Sequence, residues 1–234
     1  MKPESDEMLQ FKRELTHFGM EPFTTDADAF RKHLQSLGVV GLRIQDIRLT
    51  GYNTIYIEPH LCRSFAEYEA LPEDWKLAIR RCCAETDPPL LIRLEDDRIL
   101  SLSSVEDYEY GEVYYAELDA MQWEGQFDEW WEMRIDEWNP PNCNANVLFG
   151  KAVGMKIDGF QMNTTFCSNG ELYMTSYALE LVSAEPPFER LELTFECYFG
   201  YNWITLKKNG AVLELPETQI PALFAGFEDW KDDF

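Results

Sequence analysis

The chain has 234 residues, 45% of them hydrophobic and 14% aromatic, and its 43 acidic against 20 basic side chains leave a formal net charge of −23. So much apolar material excludes a disordered chain, and at this length folding buries roughly 70–75% of the unfolded surface, enough for a core without disulfides or a structural metal. A surface this negative repels polyanions, which excludes nucleic acid as a main partner.

The N-terminal stretch sets Glu4 and Asp6 beside Lys2 and continues as an amphipathic segment, so no signal peptide is expected. No uninterrupted apolar run reaches the length of about 18 residues that a membrane span needs, and a cytoplasmic location is the expectation. The six cysteines, Cys62, Cys82, Cys83, Cys143, Cys167 and Cys197, contain no C-x-x-C pair; as thiols in a reducing compartment they are expected to pack as small core residues.

In chain order, Ser5 can cap a helix with Met8, Phe11, Leu15 and Phe18 on one face, stopped by Gly19. A second helix opens at Thr25, places Asp26 and Asp28 against its N-terminal dipole, presents Ala27, Phe30, Leu34 and Leu37, and ends at Gly38. From Val39 the apolar period changes to two, through Leu42, Ile44, Ile47, Leu49, Ile55 and Ile57, with Gly51-Tyr52-Asn53 as turn chemistry, which predicts a hairpin. Ser64 and Glu67 fit a capping box, and Pro72, followed by Glu73 and Asp74, starts another helix expected to bury Trp75, Ile79 and Cys82. Leu90–Leu94 and Ile99–Leu102 flank Glu95-Asp96-Asp97-Arg98 as a hairpin, Tyr108–Met121 and Tyr173–Val182 read as strands, and Trp130–Trp138 fits helix or strand. Leu191–Tyr198, Tyr201–Lys207 and Ala211–Leu215 form a predicted meander with an Asn209-Gly210 turn, and Ile220–Trp230 is expected to be helical.

These elements predict an α+β fold: antiparallel or mixed sheets, N-terminal helices packed on one side, a C-terminal meander and a terminal helix. Pro88-Pro89, Pro140-Pro141 and Pro186-Pro187 punctuate loops without forming long linkers, which favours a single compact domain over 1–234. The alternative division, 1–104 and 105–234 as related halves, rests on the ungapped likeness of Leu42–Glu58 to Leu191–Lys207, each reading strand, Gly-Tyr-Asn, strand. Similar turn needs in two unrelated hairpins are the favoured explanation of that likeness.

Charge is concentrated mid-chain. From Val105 to Trp138 twelve carboxylates face Arg134 alone, a net −11, interleaved with Tyr108, Tyr110, Tyr114, Tyr115, Trp123, Phe127, Trp130, Trp131 and Trp138. Period-two placement of Tyr114, Ala116, Leu118 and Ala120 predicts that one strand face is core, with Glu117 and Asp119 on the other. A solvated acidic face accounts for such a run. Crowded carboxylates also repel one another, a cost that a basic partner removes, and Trp and Tyr are frequent anchors at interfaces.

Motifs for chemistry are scarce. His17 and His33 sit late in predicted helices, where the dipole favours them. His60 and Cys62 with Cys82 and Cys83 lack the paired short spacing of a zinc site, and the His60–Cys62 pair lacks an orienting third group. No phosphate-loop, dinucleotide, hydrolase-elbow or zincin pattern occurs, so neither cofactor nor metal is expected. In composition, an acidic, cysteine-containing α+β chain without catalytic motifs resembles the bacterial immunity proteins, which implies a partner toxin. The leading expectation is a non-enzymatic interaction protein, of inhibitor or toxin-immunity type. It would bind a basic protein surface through Asp128, Glu129, Glu132 and Asp136, anchored by Trp130 and Trp131. The alternative is an uncatalogued enzyme or carbohydrate-binding module using carboxylates and aromatic rings; if Phe127–Asp136 is helical, Glu129, Glu132 and Asp136 fall on one stripe.

Overall fold

A computed structural model describes residues 27–49, 53–54, 64–86, 90–107, 111–118, 145–166, 172–198 and 201–224. The expected helix from Ser5 to Phe18 and the tail beyond Phe224 lie outside them. Helix α1 (Ala27–Ser36) buries Ala27, Phe30 and Leu34, one face of a 3.6-residue repeat, and stops where Gly38 takes a φ of +64°. Strands β1 (Ile44–Leu49) and β2 (Asn53–Thr54) follow, then α2 (Phe65–Ala70), whose Ser64 hydroxyl accepts from the Glu67 amide at 3.3 Å. Helix α3 (Glu73–Arg80) has Pro72 at its cap, one position earlier than expected. Next come β3 (Cys83–Thr86), β4 (Leu90–Leu94), β5 (Ile99–Asp107), β6 (Gly111–Leu118) and α4 (Ala145–Phe149), which runs into a 3₁₀ turn at Gly150–Ala152. The chain continues through β7 (Lys156–Phe166), β8 (Leu172–Val182), β9 (Arg190–Tyr198), β10 (Tyr201–Lys208), β11 (Ala211–Val212) and the short α5 (Ile220–Leu223).

The fold mixes these helices with antiparallel sheets. One sheet has the order β1-β4-β5-β6; the other runs β2-β3-β10-β9-β8-β7, with β11 beside β10. Both strands of one pair change sheets together: β1 pairs with β4 in the first sheet, and β2 pairs with β3 in the second. At one corner the sheets also meet directly, as Ile157 donates to the Leu42 carbonyl and accepts from the Gly41 amide. Between the sheets, β5 lies across β9 and β10. Leu100 and Leu102 of β5 share one core cluster with Leu193, Phe195, Ile204 and Leu206. Burial of each large aliphatic or aromatic side chain contributes roughly 1.5–3 kcal/mol to that core.

Three expectations change. Ile44–Leu49 and Asn53–Thr54 do not form a hairpin with each other, because each finds its partner in a different sheet. Tyr201 and Tyr198 do pair, so the two Gly-Tyr-Asn segments share a local sequence pattern and differ in pairing. Trp75 is exposed, and Cys82 is buried from beyond the helix rather than within it. The chain turns extended at Arg81, the Cys82 amide donates to Leu213, and its carbonyl accepts from Leu206, so only Ile79 in the last turn of α3 is fully buried. The remaining hairpins match the sequence signals. Arg93 pairs with Ile99 around the Glu95–Arg98 turn, and Asn209 and Gly210, at φ 53° and 77°, join the register partners Lys208 and Ala211.

Candidate functional site

The acid-rich segment enters the described structure as the β5–β6 hairpin, and β6 is the last strand of its sheet. Alternation sets one face of β6 inward: Tyr114 and Ala116 are buried and Leu118 half-buried, as the period-two pattern predicts. Tyr114 joins an aromatic cluster that ties α1 to both sheets. Its ring lies 6.2 Å from Phe30 and 5.7 Å, edge-on, from Tyr177; Phe30 meets Tyr177 at 5.0 Å, and Tyr177 stacks on Phe195 at 4.9 Å. The Tyr177 hydroxyl donates to the Ser103 carbonyl at 3.4 Å, and full burial holds its pKa well above the usual phenol value. Toward the end of the paired stretch the register sets Glu106 opposite Glu112.

The six residues carrying the binding expectation, Asp128, Glu129, Trp130, Trp131, Glu132 and Asp136, lie outside the described residues, as do His17, His60, Cys62, Cys143 and Cys167. His33 sits in the last turn of α1, as expected, and also donates from Nε2 to the Ala116 carbonyl of β6. Cys82 is buried, and Cys83 and Cys197 are half-buried. Burial pushes the Cys82 thiol up to about 12 and Cys83 to about 11, so neither is a thiolate near neutral pH. Among the described residues, no three His, Cys, Asp or Glu side chains converge as metal ligands.

Charge balance among the described residues is local. Arg31 pairs with Asp28, Lys76 with Glu73, Arg93 with Asp97, Arg98 with Asp96, Arg190 with Asp158, Lys208 with Glu189, and Arg80 with both Glu214 and Glu217. Each of these cations meets a carboxylate outside the 105–138 segment. The Lys208 ammonium lowers the Glu189 pKa by hydrogen bonding and charge.

Sequence reading missed β7, although Phe160, Met162, Thr164 and Phe166 carry a period-two signal. Unlike β6, this terminal strand holds an uncharged run, Gly159 to Phe166. No family model matches the chain, and neither a curated protein nor a solved structure does. No helix among the described residues is long and apolar enough to cross a membrane.

Proposed function

We propose that the chain is a non-enzymatic interaction protein, an inhibitor or immunity-type factor, that engages a basic protein surface through residues 105–138. One observation carries the reading: twelve carboxylates against a single arginine in that segment. Seven described cations pair with acids outside that segment. Exposed ion pairs are individually weak, about 0–1 kcal/mol, so their contribution here is charge placement rather than stability. Asp128, Glu129, Glu132 and Asp136 supply steering, and Trp130 and Trp131 supply apolar anchors.

The test follows association of the full chain with a cationic globular protein from about 50 to about 500 mM salt, across which the Debye length falls several-fold. The on-rate should drop by about tenfold or more, as steered encounters do. Changing Asp128, Glu129, Glu132 and Asp136 to their amides should lower it more than the same neutralisation of the exposed Glu67, Glu69, Asp74 and Glu185. An on-rate indifferent to salt, or equal losses in the two quadruple variants, would remove the assignment.

A further inference from the structure

Strand β7 closes the seven-stranded sheet on one side. Its inner edge pairs with β8 from Lys156 to Phe166, whereas among the described residues backbone hydrogen bonds reach its outer edge only near its start, where Ile157 bonds with Gly41 and Leu42. From Gly159 to Phe166 no strand among the described residues pairs with that outer edge. A row of unpaired backbone donors and acceptors is a template for another strand, and proteins commonly blunt such edges with lysine, proline or charge. Here the eight residues Gly-Phe-Gln-Met-Asn-Thr-Thr-Phe contain none of these.

Position 159 adds chemical selectivity. The register sets Gly159 beside Glu180 and Glu180 beside Glu192, so two carboxylates occupy adjacent strands on one rung. The Glu180 carboxylate leans away from β9 and over the glycine: its Oε2 lies 2.8 Å from where a Cβ would stand at position 159. Facing Cβ atoms of paired strands are about 5 Å apart, so a residue opposite Gly159 on an added strand would have this carboxylate as its immediate neighbour.

We infer that the outer edge of β7 is a strand-addition site for an extended segment of a cationic partner, with a lysine or arginine opposite Gly159 engaging Glu180. Main-chain hydrogen bonds would supply affinity, and the Glu180 carboxylate would supply selectivity for charge. A second copy of this chain is disfavoured as occupant because each copy carries −23 and would bring its own acids to the junction. The site shares no residue with 105–138, and what it has in common with the proposed function is the positive charge of the partner.

Hydrogen exchange on the full chain tests this with a synthetic peptide of about ten residues, alternating threonine and valine around one central lysine. Peptide binding is followed in parallel by fluorescence anisotropy. Saturating peptide should slow exchange across 159–166 at least about tenfold, and a glutamate in place of the lysine should weaken binding. Glu180→Gln should cost the lysine peptide about 2- to 5-fold in affinity, the range of an exposed ion pair, and cost the glutamate peptide nothing. Absent binding, or binding that leaves 159–166 unprotected, overturns the inference, as does protection that rises with protein concentration alone and so reports a second copy. Because the readout is local to β7, neutralising Asp128, Glu129, Glu132 and Asp136 tests the proposed function without deciding this one.

Discussion

The two sheets end in strands managed in opposite ways. At β6 the terminal strand carries Glu112 and Glu117, continues into the acid-rich segment, and lies beside helix α1, whose His33 gives a donor to the Ala116 carbonyl. At β7 the terminal strand is neutral from Gly159 to Phe166, and its outer edge has no strand partner among the described residues. Charge and a covering helix are both devices that discourage unwanted strand pairing. Helix α1 packs against β7 as well as β6, so the difference lies in charge: the neutral run from Gly159 to Phe166, without a strand partner among the described residues, makes β7 the edge on which a partner strand can be built.

The largest test removes what holds the covering helix. Phe30 is fully buried and touches Tyr114 and Tyr177, so Phe30→Ala deletes the contact that joins α1 to both sheets. The expected loss is about 3–5 kcal/mol, read as a fall in the urea midpoint at unchanged slope. Exchange of β6 amides should rise with it. A loss under about 1 kcal/mol would show that α1 is not held by this cluster. His33→Ala is the gentler form of the same experiment. It leaves the Ala116 carbonyl without the imidazole donor, with an expected cost of about 1–2 kcal/mol and faster exchange in β6 but not β7. Equal acceleration in both strands would mean that α1 protects the sheets as a whole rather than one edge.

How far these edges could be read from sequence depends on which force shapes them. Local signals were legible. The Ser64 cap, the buried stripe of Phe30 and Leu34, the Glu95–Arg98 hairpin and the Asn209-Gly210 turn are all set by a few neighbouring residues. Pairing across sequence distance was not. Leu42 to Ile57 has the alternation and turn chemistry of a hairpin, yet β1 and β2 pair with β4 and β3, some 30 to 50 positions away, and pairing at that distance leaves no local signal. Cys82 was misplaced for a related reason. A helical period extends until something stops it, and here the stop is the pairing of Cys82 with Leu213 and Leu206, which no local residue announces. The acid-rich segment was legible as charge, and the described part of it joins the fold as predicted through Tyr114 and Ala116. Glu180 over Gly159 was invisible, since it requires the β7–β8 register.

The smallest expected effect discriminates most sharply. Gly159→Ala adds one methyl at a position where no left-handed φ is required and where the near neighbour is the Glu180 carboxylate, the far end of a side chain able to rotate. Stability should therefore change by no more than about 0.5 kcal/mol, with a slight gain available from the reduced entropy of the unfolded chain. The methyl would nevertheless push the carboxylate off the rung, so affinity for the lysine peptide should fall as far as it does in Glu180→Gln. A stability loss above about 2 kcal/mol would mean that Glu180 is fixed in place by the fold and has a structural role at β7. In that case Gly159→Ala would report the strain of moving Glu180 rather than the charge preference of the edge, and Glu180→Gln alone would measure that preference.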